Sequence, residues 1–530
     1  MRWYKESIVY QIYPRSFNDS NNDGIGDLRG IIEKIDYLVN LGVNVVWLSP
    51  IYDSPMDDNG YDISDYYSIL KEYGTMEDFK EMISKMHDKG IRLIMDLVVN
   101  HTSDEHPWFI EARKSCHSLY HDYYHFVPAR LDGRQKKRKP NNWTSFFGGD
   151  AWEYNETTDE YYLHLFSKKQ PDLNWESPKV REEIKKILKF WLDLGVDGFR
   201  CDVINLLSKR KDYPKGRGII PILRGREHYL NGPKMHEYLQ EIKNDVFVHY
   251  DMFTVGECVL INPQIALSYI EEGFDEMNMV FQFDHMAADN FLIKWFPRKF
   301  KLKRLKRALS RWQYEINGRG WNSLYFENHD QPRSVNRFGN LNYRKESAKM
   351  LATYLFFQQG TPFIYQGQEI GMTNADFETL EQYQDVETHN IYRVGRKAFR
   401  FSHKNMMKRI KLMSRDNART PMQWNKDIYG GFSTRKPWLG VNRNYHEINV
   451  DENIQDPDSI FNYYKKLIKL KKELKVLIYG NYLEHYPKSN KIAFYERNYQ
   501  QERILVIANF TDKRIKIKSP YPLDNHCGYR

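Results

Sequence analysis

Eight short apolar runs recur along the chain with amphipathic segments between them, and this repetition constrains the fold more than any other feature. The runs are IVYQIYP from Ile8, VNVVWLSP from Val43, IRLIMDLVV from Ile91 and VDGFRCDV from Val196, then MFTVGEC from Met252, MNMVFQF from Met277, SLYFENHD from Ser323 and TPFIYQGQE from Thr361. Continuous apolar strands are those buried on both faces, as in a parallel sheet covered by helices. Segments such as GIIEKIDYLVNLG from Gly30 and MEDFKEMISKMHDKG from Met76 supply helices between the first strands. Eight such units close a (β/α)8 TIM barrel, so an α/β barrel is the predicted fold.

Two stretches fall outside this rhythm. About 95 residues separate His101 from the strand that leads to Asp202, and they are rich in Trp, Tyr, Asn and Gly with turn signals such as LDGR and FFGGD. They predict an inserted subdomain after the third strand. Beyond Asp458 a helix, IFNYYKKLIKLKKEL, gives way to the alternating runs KIAFYER and RILVIANF, which predict a C-terminal antiparallel β domain. The expected division is barrel over 1–101 and 176–457, insert over 102–175, and helix with β domain over 458–530.

Charge narrows the class of partner. The formal charge of +9 comes from 79 basic and 70 acidic residues, too small an excess at this length to predict a nucleic-acid surface. The run RQKKRKP at Arg134 reads as a solvated loop, and RKFKLKRLKRAL from Arg298, with Phe300, Leu302, Leu305 and Leu309 at helical spacing, as an amphipathic outer helix. No apolar stretch approaches the ~18 residues of a membrane span, and the N-terminus lacks the pattern of a signal peptide. The expectations are therefore a cytoplasmic chain with no membrane and no nucleic-acid partner. Cys116, Cys201, Cys258 and Cys527 have no metal-like spacing and are expected as reduced thiols. The sequence does not give an oligomeric state.

Chemistry enters where strands end in charge. GFRCDVINLL, from Gly198, places Arg200 and Asp202 in an apolar run, and residues two apart on a strand share a face. A structural ion pair accounts for this as well as a functional one does, until the other strand ends are added. Asp96, Glu257 and Asp330 each end a different predicted strand, with His101 and His329 beside them. Barrels of this kind carry their chemistry at the C-terminal strand ends, and glycoside hydrolysis needs two flanking carboxyls.

DLVVNH (Asp96–His101), GFRCD (Gly198–Asp202), VGEC (Val255–Cys258) and ENHD (Glu327–Asp330) resemble, in order, the four short motifs of glycoside hydrolase family 13, the α-amylase family. That resemblance implies Asp202 as nucleophile, Glu257 as general acid/base and Asp330 as a third carboxylate that stabilises the transition state. It implies Arg200 as the cation that keeps Asp202 ionised, and His101 and His329 as hydrogen-bonding groups around the first sugar.

Within the family, NGYDISDY (Asn59–Tyr66) and SRDNARTPMQW (Ser414–Trp424) resemble the group of oligo-1,6-glucosidases, dextran glucosidases and trehalose-6-phosphate hydrolases. By that likeness Asp62 and Arg415 grip the non-reducing glucose and close the site into a pocket for exo attack. QPDLNW (Gln170–Trp175), MVFQFDHM (Met279–Met286) and Val203, directly after the nucleophile, resemble members that cut α-1,6 bonds.

A separate stretch, DSNNDGIGD, sets oxygen donors at Asp19, Asn21, Asp23, the Ile25 carbonyl and Asp27 with the spacing of a calcium loop. Position twelve is Gly30, so it is not an EF-hand; an Asp/Asn/Gly turn is the plainer reading. Since relatives bind Ca²⁺ here, a structural Ca²⁺ is expected, with no organic cofactor. Together these readings predict a retaining α-glucosidase acting on isomaltose and short isomalto-oligosaccharides. The alternatives are trehalose-6-phosphate hydrolase, α-1,4-glucosidase and a sucrose-isomerising transglucosylase. A non-catalytic transporter heavy subunit would lack these carboxylates and carry a span.

Overall fold

In the computed structural model, which describes residues 2–218, 223–273, 276–518 and 520–521, all eight apolar runs become strands. They are β1 (Val9–Ile12), β2 (Val45–Leu48), β3 (Arg92–Leu97), β4 (Gly198–Cys201), β5 (Phe253–Glu257), β6 (Met279–Phe281), β7 (Ser323–Leu324) and β8 (Thr361–Tyr365). Cys527 and the tail beyond Tyr521 lie outside the described residues.

The strands pair in parallel in the order β6-β5-β4-β3-β2-β1-β8-β7. A parallel bridge between Val280 and Asn322, with Ser323 Oγ donating to Val280 O at 2.8 Å, joins the two ends and closes the barrel. Register follows the apolar alternation: Val9 lies between Val45 and Phe363, and Phe199 beside Met95 and Thr254. Gly198 is needed at the start of β4, because at φ 149° a Cβ there would stand 2.0 Å from the Phe253 carbonyl oxygen.

Alternation separates two apolar layers. Val9, Val45, Trp47, Ile94, Val255, Met279, Phe281 and Phe363 fill the barrel interior. Tyr10, Val46, Met95, Phe199 and Ile364 on the same strands pack outward against helices. These include α1 (Met76–Asp88), α2 (Pro178–Asp193), α3 (Leu302–Ile316), α4 (Arg344–Phe356) and α6 (Ile460–Glu473), whereas α5 (Val386–Lys397) packs in a separate cluster with Trp295, Tyr383 and Ile410. In α3 the buried positions Leu302, Leu305, Leu309, Trp312 and Ile316 form one stripe, as the sequence spacing predicts.

Between β3 and β4 the chain builds the expected insert, whose main sheet is formed by Phe126–Pro128, Trp152–Asn155 and Glu160–Leu163. The chain ends in an antiparallel sheet of β9 (Asn481–His485), β10 (Ile492–Tyr499) and β11 (Glu502–Asn509). Among the described residues no helix is long and apolar enough to cross a membrane.

Candidate active site

The inward-facing rows of the strands change character at their C-terminal ends. Ile94 is followed two residues on by Asp96, Val255 by Glu257, and Gly198 by Arg200 and then Asp202. A layer of charge therefore sits on an apolar barrel core. Arg200, 1 % exposed, organises that layer. Its Nη1 donates to Asp96 Oδ1 (2.5 Å) and Asp202 Oδ1 (2.6 Å), and its Nη2 donates to Glu257 Oε2. Trp47 Nε1 and Tyr61 OH complete the shell of Asp96, at 2.9 and 3.1 Å from Oδ2.

A cavity of about 180 Å³ opens above this layer, lined by Asp202, Glu257, Asp330, His101 and Arg415 among others. Arg200 and His329 stand behind it. Gln11 Nε2 donates to His329 Nδ1 at 2.8 Å, which leaves the His329 proton on Nε2, 3.3 Å from Asp330 Oδ2. That buried Nε2 has no well-aligned partner among the described residues and is available to a sugar hydroxyl. His101 Nε2 donates to Tyr61 O at 2.9 Å.

Burial raises Asp202 and Glu257, each to about 7, against the pull of Arg200. Asp202 also shares a hydrogen bond with Glu257, so the two behave as a pair. Burial lifts Asp96 to about 6, again limited by Arg200. Burial would raise Asp330 too, but His329, Arg415 and Arg419 outweigh it and hold its carboxyl well below the usual range. Burial lowers His101 to about 4, so its ring is neutral at neutral pH, and burial pulls His329 down against the opposing pull of Asp330.

One expected residue is displaced. Asp62 is fully buried away from the cavity, where its carboxylate accepts the amides of Asp57 (2.8 Å) and Asp58 (3.0 Å). Asp58 instead lines the cavity and meets Arg415 Nη2 at 2.8 Å. Left-handed residues at Asn59 and Gly60 lie between them and another, Met56, just before, so strand alternation does not carry through the turn. Asp62 thus positions Asp58.

Other residues of the site, some of them lining the cavity, went unread in the sequence. Asp385 holds Arg415 at 2.6 Å, and Glu387 accepts from Lys294 Nζ (2.6 Å) and Trp295 Nε1 (3.1 Å), forming a second wall with Phe147, Phe166, Val259 and Phe283. Asp385 caps α5 and so places Glu387 in its first turn; an Asp before a helical segment was the signal available. Gln170, from the quoted QPDLNW segment, reaches Asp58 Oδ2 at 3.3 Å, so the insert contributes to the site. Val203 lines the cavity at φ 35° and ψ 41°, a left-handed conformation that a β-branched residue rarely adopts.

In the expected calcium loop, the oxygen donors are engaged by the loop's own amides. Asp19 accepts from Asn22 (2.7 Å) and Gly24 (2.8 Å), Asn21 from Asp23 (2.9 Å) and Asp23 from Ile25 (2.8 Å). Asp27 accepts from Ser20 and from the Gly30 amide, at 2.6 Å, as a helix cap. The donors are chemically suited to a hard cation, and among the described residues no three Asp, Glu, His or Cys side chains gather at one point.

The α-amylase catalytic domain matches residues 11–480. An oligo-1,6-glucosidase of Parageobacillus thermoglucosidasius is 53% identical over 522 residues, covering 98% of this chain and 92% of that protein. One of Bacillus cereus is 52% identical over 528 residues, covering 98% and 93%. Among solved structures, a trehalose-6-phosphate hydrolase variant of Bacillus licheniformis superposes with TM-score 0.93 at 46% identity, covering 99% of this chain and 93% of that one. An isomaltulose synthase of Protaminobacter rubrum does so with TM-score 0.94 at 41% identity, covering 98% and 93%. With a matching catalytic domain along most of its length and full-length relatives at half identity, the chain belongs to the α-amylase family of glycoside hydrolases.

Proposed function

We propose that this hydrolase is an exo-acting, retaining α-glucosidase that releases glucose from the non-reducing end of isomaltose and short α-1,6-linked oligosaccharides. The observation that carries this reading is the pair Asp202 and Glu257, held on the two Nη atoms of one guanidinium at the floor of a small cavity. Sharing one guanidinium sets the two carboxyls close together, as the double displacement of a retaining enzyme requires.

In the proposed cycle Asp202 attacks the anomeric carbon while Glu257 gives its proton to the leaving oxygen. A covalent glucosyl ester forms, and the C–O bond to the leaving sugar breaks. Glu257, now ionised, takes a proton from water as that water opens the ester, and glucose leaves with its configuration retained. Asp330, kept ionised, and the His329 Nε2 proton bind hydroxyls of the sugar as positive charge develops on its ring. Asp58 and Arg415 close the far end of the cavity, which favours a terminal glucose.

The choice of aglycone rests on charge and shape. The lining holds five carboxyls, Asp58, Asp202, Glu257, Asp330 and Glu387, against Lys294 and Arg415, and both cations are already paired. A phosphorylated sugar would bring a further dianion to an acidic wall, so a neutral leaving sugar is favoured over phosphotrehalose. The β-branched Val203 narrows the wall beside the nucleophile, in keeping with α-1,6 rather than α-1,4 substrates. Initial rates on isomaltose, maltose, sucrose and phosphotrehalose test this. Isomaltose is expected to be cut fastest, and an inert isomaltose alongside rapid turnover of another sugar would sink the assignment. We also propose a structural Ca²⁺ in loop 19–27, on the strength of its donor spacing, and a cytoplasmic location with no organic cofactor.

A further inference from the structure

The net charge of the chain hides a strong segregation. The outer stripe of α3 is Lys303, Arg307 and Arg311, at intervals of four residues, with exposed Lys301 just before the helix. Folding brings the end of the chain against the start of this helix. The Lys303 amide donates to Asn490 Oδ1 at 3.1 Å, Lys306 Nζ donates to Tyr486 O at 2.6 Å, and the Lys518 amide donates to Tyr486 OH at 3.2 Å.

Residues 298–311, 485–491 and 509–518 thus share one side of the molecule. They contain fourteen Lys or Arg and a single acid, Asp512, so they exceed the +9 of the whole chain and leave the remainder slightly acidic. Among the described residues, the ion pairs in these segments are Lys306 with Glu484 and Arg311 with Glu315, with His485 against Glu496 when its ring is protonated. Lys301, Lys303, Arg307, Lys491 and Lys516 are exposed without a carboxylate partner there.

Exposed apolar side chains adjoin this basic field. A hairpin of Asn290–Phe291 and Ile293–Pro297 presents Phe291 and Leu292, 58% and 67% exposed. Its base is fastened to the field, since the Arg298 amide donates to Asp289 O at 2.7 Å and Arg304 Nη1 to Ala288 O at 3.4 Å. Tyr486, 40% exposed, stands at a second turn within the field.

We propose that this face docks peripherally on an anionic phospholipid surface, with the lysines and arginines against the headgroups and Phe291, Leu292 and Tyr486 at the interface. Cations around a few protruding aromatic and aliphatic side chains are the pattern of interfacial binding. A single-stranded nucleic acid would call for a track of stacking aromatics along the basic residues, which α3 does not offer. The expectation of no membrane partner rested on the lack of an apolar span, which says nothing of a basic field that the fold assembles from three segments. This inference is independent of the glycosidic bond cleaved.

Sedimentation of the purified full chain with vesicles tests it. Vesicles containing phosphatidylglycerol are expected to carry the protein down at low ionic strength and release it at about 0.5 M salt, where screening acts within a few ångströms. Pure phosphatidylcholine vesicles are expected to leave it in solution. The triple variant Lys301→Glu/Lys303→Glu/Arg307→Glu should bind about tenfold more weakly or less, and Leu292→Asp should also weaken binding. Unchanged hydrolysis of a soluble chromogenic α-glucoside will show that both variants are folded. Equal binding to the two vesicle types, or wild-type binding by the triple variant, overturns the proposal. So does full binding by Leu292→Asp together with displacement of the vesicles by an oligonucleotide, which would mark a nucleic-acid face.

Discussion

Arg200 faces three carboxyls at once, and that crowding sets the pH behaviour of the site. Burial raises Asp202 and Glu257 alike, and the guanidinium limits the rise. The pair then loses its two protons in separate steps around neutrality, because ionising one opposes ionising the other. Hydrolysis needs the intermediate form, with Asp202 charged and Glu257 protonated. Activity should fall at acid pH as Asp202 takes up a proton, well above the usual carboxylate range, and at alkaline pH as Glu257 loses its own. A bell-shaped kcat/KM profile centred near pH 7 is expected. With an aryl glucoside whose leaving group needs no acid, Glu257→Gln should abolish the alkaline limb; its persistence would assign that limb elsewhere. Val203 supplies the second prediction at this scale. Val203→Ala should raise the maltose-to-isomaltose ratio of kcat/KM by roughly tenfold, the range one or two methyl groups in a pocket can supply. An unchanged ratio would reduce Val203 to packing. The Asp62 expectation failed at this scale too. Left-handed residues reverse the chain inside its motif, and direction in a turn is not legible from alternation.

At the scale of elements, the strands were the most legible part, because continuous apolar runs of four to eight residues have few other uses. Their ends were less so. Regular pairing in β7 stops at Leu324, and His101 lies beyond the end of β3 at Leu97, so these groups sit on loops that the strands aim. Helix α5 shows how an element places chemistry. Asp385 caps its first turn through the amides of Glu387 and Thr388, and the same carboxylate holds Arg415. Loop 19–27 is the element whose role is still a proposal. If it takes up Ca²⁺, saturating ion should stabilise the protein by about 2.7 kcal/mol at a hundredfold excess over Kd. For a chain of this length that is a rise of roughly 2–3 °C in Tm over an EDTA-treated sample. No shift with Ca²⁺, or an equal shift with Mg²⁺, would leave a loop ordered by its own amides.

The whole molecule depends on joints that no segment foretells. Arg497, fully buried on β10, donates to the carbonyls of Phe357, Leu477, Ile478 and Gly480, capping the ends of α4 and of the short helix Lys475–Tyr479. Burial draws its pKa down to about 10, so it remains charged at neutral pH. Arg497→Leu leaves several buried carbonyls unsatisfied, at about 1–3 kcal/mol each. The C-terminal sheet is then expected to loosen, with a lower Tm and new protease cleavage near Gly480; wild-type values for both would show that the joint is dispensable.

The number and order of the strands and the place of the insert were legible in the sequence alone. These depend on local periodicity and on strand direction, which a chain carries wherever it folds. Only the tertiary structure decided that Asp58 and not Asp62 meets Arg415, 357 residues away. It alone set Lys294 and Glu387 in one wall and joined α3 to the chain's end in one basic field. Such contacts follow from how helices and loops pack around the closed barrel, and nothing in the spacing of either partner records the distance between them.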